Sequence, residues 1–204
     1  MYNDEAKALK EVAKFGKKAL EVSEKLGGFI SKVFGTVPSD IIGVIGGDWL
    51  HHIRIRNAAK LAKRTEEILR ERGILEKTEP MSPSVALPLL HAAQDETREQ
   101  LREMWSRMLA NGMDPIRSKS VRRSIIDTVK QLDPLDAMIL QMVFNNTEIK
   151  DLPKQLRVSE DELKLSLKNL FKLECIDGVT STSERIISIS LSPLGREVMR
   201  ACSL

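Results

Sequence analysis

The chain has 204 residues, 42% hydrophobic and 30% charged, with a net charge of only +3. That length allows one large domain or two small ones with a real core. The near-balanced charge excludes a dedicated, strongly basic nucleic-acid binder.

Aromatic residues make up 4% of the chain, so the core has to come from Leu, Ile, Val, Met and Ala. Their recurrence every three to four positions favours helices over sheets. Residues 4–34 read as one amphipathic helix, with Ala8, Val12, Phe15, Ala19, Val22, Leu26, Phe29 and Val33 on a single stripe. Its other side carries Lys7, Lys10, Lys14, Lys17, Lys18 and Lys25, and Gly27-Gly28 predicts a break or kink. Such a helix either faces a core and solvates its lysines or lies on an anionic membrane. Lys14, Lys17 and Lys18, together with Phe29 and Phe34, are candidate membrane or partner contacts.

Residues 26–50 are the most apolar and glycine-rich part, split into two arms by Pro38-Ser39-Asp40. Ser39, Gly43 and Gly47 recur every four positions, the small-xxx-small spacing that lets another helix approach closely. Two apolar arms could also insert into a membrane. Lys32, Asp40 and Asp48 argue against that, each costing about 2.5–3.5 kcal/mol at a bilayer centre. Gly43, Gly47 and Trp49 join the candidate membrane or partner surface.

A second helix is expected from about Asp40 to Arg72, stopped by Gly73, with Leu50, Ile53, Asn57, Leu61 and Ile68 on one face. Its remaining surface is the most basic in the chain. Arg54, Arg56 and Lys60 are candidate phosphate contacts there, although no interleaved aromatics supply stacking. Residues 76–88 hold three prolines and read as a linker. Helices follow over about Pro88–Ala110, closed by Gly112, and about Ser118–Leu132.

Asp133-Pro134 with Asp136 starts the next helix. A short one covers about Asp151–Leu156, Arg157-Val158 turns, and Ser159-Glu160-Asp161-Glu162 is a capping box for a third helix reaching about Leu173. Leu163, Leu167, Leu170 and Phe171 face inward on it. The period then changes, Ile187, Ile189 and Leu191 alternating with serines as in a half-buried strand, before Ser192-Pro193 caps a last helix. Three helices followed by a β-hairpin is the winged-helix arrangement. The expected fold is therefore mainly α, an N-terminal helical bundle followed by a C-terminal winged-helix module. Its segments are basic helices and the glycine-rich stretch over 1–75, the linker 76–88, more bundle over 89–132, and the module over 133–204.

As a DNA reader the module would present Glu160, Asp161, Lys164, Ser166, Lys168 and Asn169 outward. Reading helices contact bases from their N-terminal turns, and three consecutive acids there repel phosphates. Lys154, Lys164, Lys168 and Arg185 are the candidate phosphate contacts of that alternative.

Chemistry is hard to find. His51, His52 and His91 have no familiar zinc spacing. His91, Asp95, Glu99 and Glu103 form a ladder on one expected helix, but Arg98, Arg102 and Arg107 beside it favour ion pairing. No GxSxG, phosphate-cradling glycine loop or HExxH occurs. Cys175 and Cys202 form no CxxC pair, and the start has no signal-peptide character, so free thiols and a cytoplasmic chain are expected. No run of 18 uncharged apolar residues predicts a membrane span. No catalytic residue, cofactor, metal or small-molecule substrate is expected, and the default is a non-enzyme.

Several stretches together resemble the abortive infection alpha family. These are IGGDWLHHIRIRNAAKLAKRTEEILRERGI (45–74), LPLLHAAQDETREQLREMWSRMLANGMDP (87–115), IIDTVKQLDPLDAMIL (125–140), LKNLFKLECIDG (167–178) and LSPLGREVMRAC (191–202). The resemblance covers about residues 40–202 and implies a role in bacterial defence against phage, without catalytic residues to carry over. The expected function is a non-enzymatic abortive-infection protein working through a protein partner, self-association or a membrane surface, so its place is cytoplasmic with peripheral membrane contact. The alternative is a winged-helix transcriptional regulator that binds nucleic acid.

Overall fold

The computed structural model describes residues 25–35, 49–147, 152–180 and 186–203. Helix α1 covers residues 25–34 and buries Leu26, Phe29, Val33 and Phe34. The rest of the expected first helix lies outside the described residues. The predicted interruption is absent from the described part, because the chain stays helical through Gly27 and Gly28. Each glycine costs about 1 kcal/mol relative to Ala in a helix. Burying Leu26 and Phe29 on either side contributes about 1.5–3 kcal/mol apiece and outweighs that cost. The helix stops at Gly35, whose φ is +74° and whose added Cβ would sit 2.8 Å from Pro80 Cγ.

Helix α2 spans Trp49–Glu71, while residues 36–48 lie outside the described set. Its end follows the sequence signal. Gly73 has φ +69°, its N–H donates to Arg70 O at 2.9 Å, and Ile74 N–H donates to Leu69 O at 3.0 Å, the paired bonds of a Schellman cap. The inner side of α2 is tied to its neighbours by polar atoms as well as by packing. Asn57 Nδ2 donates to Gln94 O at 2.9 Å, and Thr65 Oγ1 to Ser106 O at 3.3 Å.

The proline-rich stretch differs from expectation. Helix α3 already begins at Pro83, runs to Gln94 and contains Pro88. The residues before it are bonded to the core: Met81 N–H donates to Val33 O at 2.8 Å and Glu79 N–H to Met113 O at 2.9 Å. Met81 is buried over Gly112, where an added Cβ would meet its Cε at 2.4 Å. That close approach explains Gly112, which lies inside helix α4 (Glu99–Met113) and does not close it.

The single helix expected over 88–110 is two helices, and Glu96 makes the break. Its Oε1 accepts from the backbone N–H groups of Thr97 and Arg98 at 2.9 and 2.8 Å, and from Arg98 Nε at 2.9 Å. A carboxylate that satisfies the free N–H groups ahead of α4 stops α3 and starts α4. The next expected helix is also shorter. A 3-10 turn at Ser118–Ser120 precedes α5 (Arg123–Val129), which buries Ile125, Ile126 and Val129.

The C-terminal third consists of α6 (Pro134–Phe144), α7 (Leu152–Leu156), α8 (Glu160–Lys172), β1 (Ile176–Thr180), β2 (Ile186–Leu191) and α9 (Pro193–Cys202). The capping box read from sequence, Ser159 with Glu162, is present, and the Asp133 start proves to be one too, with Asp136 as its partner. Strands β1 and β2 pair antiparallel with Ile176 opposite Leu191 and a bulge at Val179/Thr180. The alternation holds: Leu191 is buried and Ile189 half-buried, while Ser188 and Ser190 are exposed. Residues 181–185 lie outside the described set.

Helix α9 joins the two ends of the molecule. At its start Ser192 Oγ accepts from Gly195 N–H at 2.9 Å, and Ser192 N–H donates to Cys175 O at 3.1 Å. At its other end the Asn111 side chain of α4 donates to Ala201 O at 2.8 Å and Ser203 O at 3.1 Å. Arg72, beyond the end of α2, donates to Asn111 Oδ1 at 2.8 Å and to Ser203 O at 3.3 Å. Buried apolar residues from Leu26 to Cys202 accordingly form one cluster.

Two substitutions test these joints. A Cβ at Gly195 would fall 1.8 Å from the Cys175 carbonyl oxygen. Gly195→Ala should therefore destabilise by about 3 kcal/mol, the upper end of overpacking costs, read from urea unfolding. Asn111→Ala leaves buried carbonyls and the Arg72 guanidinium without a partner, and should cost about 2–4 kcal/mol in the same measurement.

Candidate interaction surfaces

Helix α2 sorts its side chains by polarity around its circumference. Asn57, Leu61, Thr65, Ile68 and Leu69 are buried on one side. The opposite arc carries Arg56, Lys60, Lys63 and Arg70, all exposed, beside Ala59, Glu66, Glu67 and Glu71. Two arginines of α2 reach inward, Arg54 in line with the buried side and Arg64 at the border of the arc. Arg54 Nε donates to Asp95 at 2.6 Å. Arg64 grips both oxygens of Glu103 at 2.9 Å each, and Arg107 donates to the same carboxylate at 2.9 Å.

These pairs set the charge states. Hydrogen bonds from Arg64 hold the Glu103 carboxyl below the usual carboxylate range, against burial, which alone would raise it. The same contact raises the Arg64 pKa above its ordinary value. Arg54, raised likewise by its bond to Asp95, is engaged within the molecule, in contrast to the phosphate contact expected of it. Arg56 and Lys60 do face solvent.

The His91–Asp95–Glu99–Glu103 ladder does not form, because the helix carrying it breaks at Asp95–Arg98. Asp95 pairs with Arg54, Glu99 with Arg102, and Glu103 with Arg64 and Arg107. Among the described residues no group of three or more His, Cys, Asp or Glu is placed to hold a metal. Burial pushes the Cys175 thiol up to about 11 and the Cys202 thiol up to about 12, so neither is a ready thiolate at neutral pH.

Beside the basic arc, α1 and α2 enclose a groove of about 640 Å³. Leu26, Phe29, Ala59 and Ala62 line it below, and Lys25, Lys32, Lys63 and Arg70 line its edges with Glu66 and Glu67. Phe29 and Phe34, expected on a membrane or partner surface, are buried instead, since they fall on the stripe that packs α1 onto the core. Trp49 opens α2. Lys14, Lys17, Lys18, Gly43 and Gly47 lie outside the described residues.

A second surface is the outer side of α8, where Asp161, Lys164, Leu165, Lys168 and Lys172 are exposed. Lys164 Nζ lies 3.9 Å from Glu160 and 3.7 Å from Asp161. Ser166 and Asn169, expected to face outward, turn in: Ser166 is buried, and Asn169 Nδ2 donates to Asp136 at 2.7 Å. Lys154 belongs to α7, and Arg185 lies outside the described residues. Leu165 is 72% exposed. Sequence reading passed over it, although it sits off the Leu163–Leu167–Leu170 stripe and next to Lys164, which is the signal for an outward leucine.

Residues 56–202 match the family model described as abortive infection alpha. The chain belongs to the abortive infection alpha family. The match starts within α2, later than the resemblance at about residue 40, and runs to the end of α9. In this family member the α2 arc and the α8 face lie inside the matched region, whereas α1 lies before it. No curated protein and no solved structure matches the chain significantly. Among the described residues, no helix is long and apolar enough to cross a membrane.

The Glu103 contact has a pH signature. Its folded pKa is below the unfolded one, so its stabilisation is full above the ordinary carboxylate pKa and is lost as pH falls through the folded value. Glu103→Gln should therefore flatten the fall in thermal midpoint between about pH 5 and pH 2. At pH 7 the variant should lose about 1.5–3 kcal/mol, the range for hydrogen bonds to charged groups.

Proposed function

We propose that the chain is a non-enzymatic abortive-infection defence protein that works through its surfaces, by binding a protein partner or a membrane. The family supplies the setting of defence against phage. The observation that carries the reading is how the polar groups are divided. The buried or half-buried Asn57, Glu96, Glu103, Asn111, Asp136 and Asn169 are each bonded within the fold, while the α2 arc and the α8 face, like the Arg117–Arg123 segment, turn their charges to solvent. Conserving the fold and offering charge outward is what a binding protein requires.

In this reading α6, α7 and α8 with the β1–β2 hairpin serve as a winged-helix module, and α1 to α5 as the helical bundle that carries it. The module docks a protein through Leu165 and its flanking lysines. An exposed leucine ringed by charge suits a protein contact. The acids at the start of α8, close to Lys164, argue against a helix that reads DNA.

Phage challenge of bacteria expressing the full chain tests this. Arg56→Glu with Lys60→Glu, and separately Leu165→Asp with Lys168→Glu, should each reduce protection by an order of magnitude or more in plaque counts while thermal midpoints stay near that of the parent. Full protection from both double variants would remove the surface reading.

A further inference from the structure

The groove between α1 and α2 combines two properties that belong together in one kind of ligand. Its floor is apolar, with Gly28 and Ala59 open to the groove over the buried Leu26, Phe29 and Ala62, and four cations line it as well. Among the described residues Lys25, Lys32 and Arg70 have no acidic partner, and Lys63 has only Glu67 at 3.8 Å with its own side chain 81% exposed. Glu66 and Glu67 reduce the local charge without reversing it, and Arg56 and Lys60 extend it along the same arc of α2. The volume, about 640 Å³, falls within the range of small-ligand sites, which are mostly apolar with a few polar groups fixing orientation.

We infer that this groove binds an anionic phospholipid at a membrane surface. The phosphate meets Lys25, Lys32, Lys63 and Arg70, and the start of an acyl chain lies over Gly28 and Ala59, with the buried Leu26, Phe29 and Ala62 closing the floor beneath. Long basic side chains suit this position, since their stems cover apolar surface while the ammonium and guanidinium groups stay at the polar boundary. A nucleic-acid strand fits less well: Phe29, the one aromatic residue lining the groove, is 2% exposed and offers no face for stacking. An acidic peptide would satisfy the cations but leave the apolar wall without purpose. The inference rests on the proposed action through surfaces and makes one of those surfaces specific.

Vesicle co-sedimentation of the full chain decides it. Vesicles of phosphatidylglycerol and phosphatidylethanolamine are compared with phosphatidylcholine vesicles, each at about 50 and about 500 mM salt to vary screening. Parallel arms add inorganic phosphate, short duplex DNA or an acidic peptide as competitors. The expected result is binding to the anionic vesicles alone, weakened by salt. Lys63→Glu with Arg70→Glu should reduce partitioning by about tenfold or more. Ala59→Trp, which fills the groove without changing charge, should also reduce it, with thermal unfolding confirming that both variants are folded. Equal binding to both vesicle types, unchanged binding by both variants, or complete displacement by DNA or peptide at lower concentration than lipid would overturn the inference. A chain that protects cells from phage yet ignores anionic vesicles loses this groove assignment and keeps the surface reading.

Discussion

The fold depends on one buried carboxamide. The last carbonyls of α9 have no partner within their own helix, and burial denies them water, so something else must bond them. Asn111 supplies the donors from α4, and its remaining oxygen is held by Arg72, which follows α2. Arg72 itself sits in a place where burial, and after it the charge of Arg117, lower its pKa, while Asp114 at 3.6 Å opposes them. Three segments far apart in sequence thus meet at one side chain. Val198, Met199, Ala201 and Cys202 seat α9 on the core by packing, and Asn111 supplies the polar bonds that fix the end of that helix against α4.

Much of this arrangement is legible in the sequence where a local chemical rule acts alone. Asp133-Pro134, Ser159 with Glu162, and Gly73 mark their helix ends because each works through bonds to neighbours within a turn. The alternation of Ile189 and Leu191 with serines identifies β2 for the same reason. The failures are of two kinds, local signals passed over and distant residues that decide. Pro83 and Pro88 look like linker prolines, yet Pro83 opens α3 at its first position after Ser82 and Pro88 lies inside that helix. The broken ladder of His91 to Glu103 had its warning in Asp95-Glu96-Thr97, a run of capping residue types inside an apparently continuous helix. The inward turn of Asn169 follows from Asp136, which lies 33 positions away and gives no periodic signal.

Function is less legible than fold because the two draw on different residues. Core positions repeat with helical period and can be counted. The α2 arc and the α8 face are told from ordinary solvated surface only after Arg54, Arg64, Glu103 and Asn169 are seen to be engaged elsewhere. With Arg54 and Arg64 engaged, Arg56, Lys60, Lys63 and Arg70 are left as the outward cations of α2, a sorting that charge composition alone could not make. The family match gives the biological setting, and the physical division between charges that bind the fold and charges that face outward gives the places where contact with other molecules is to be sought.

The bond from Arg72 to Ser203 closes a ring of 131 positions. Ring closure costs entropy only as the logarithm of length, about 0.6 kcal/mol for each doubling. Extra residues inserted into the β-hairpin or between α6 and α7 would therefore lengthen this ring almost without penalty. Relatives could vary those connections widely and still share the same clasp, so insertions between relatives belong in the connections and strict demands on side-chain identity at the clasp.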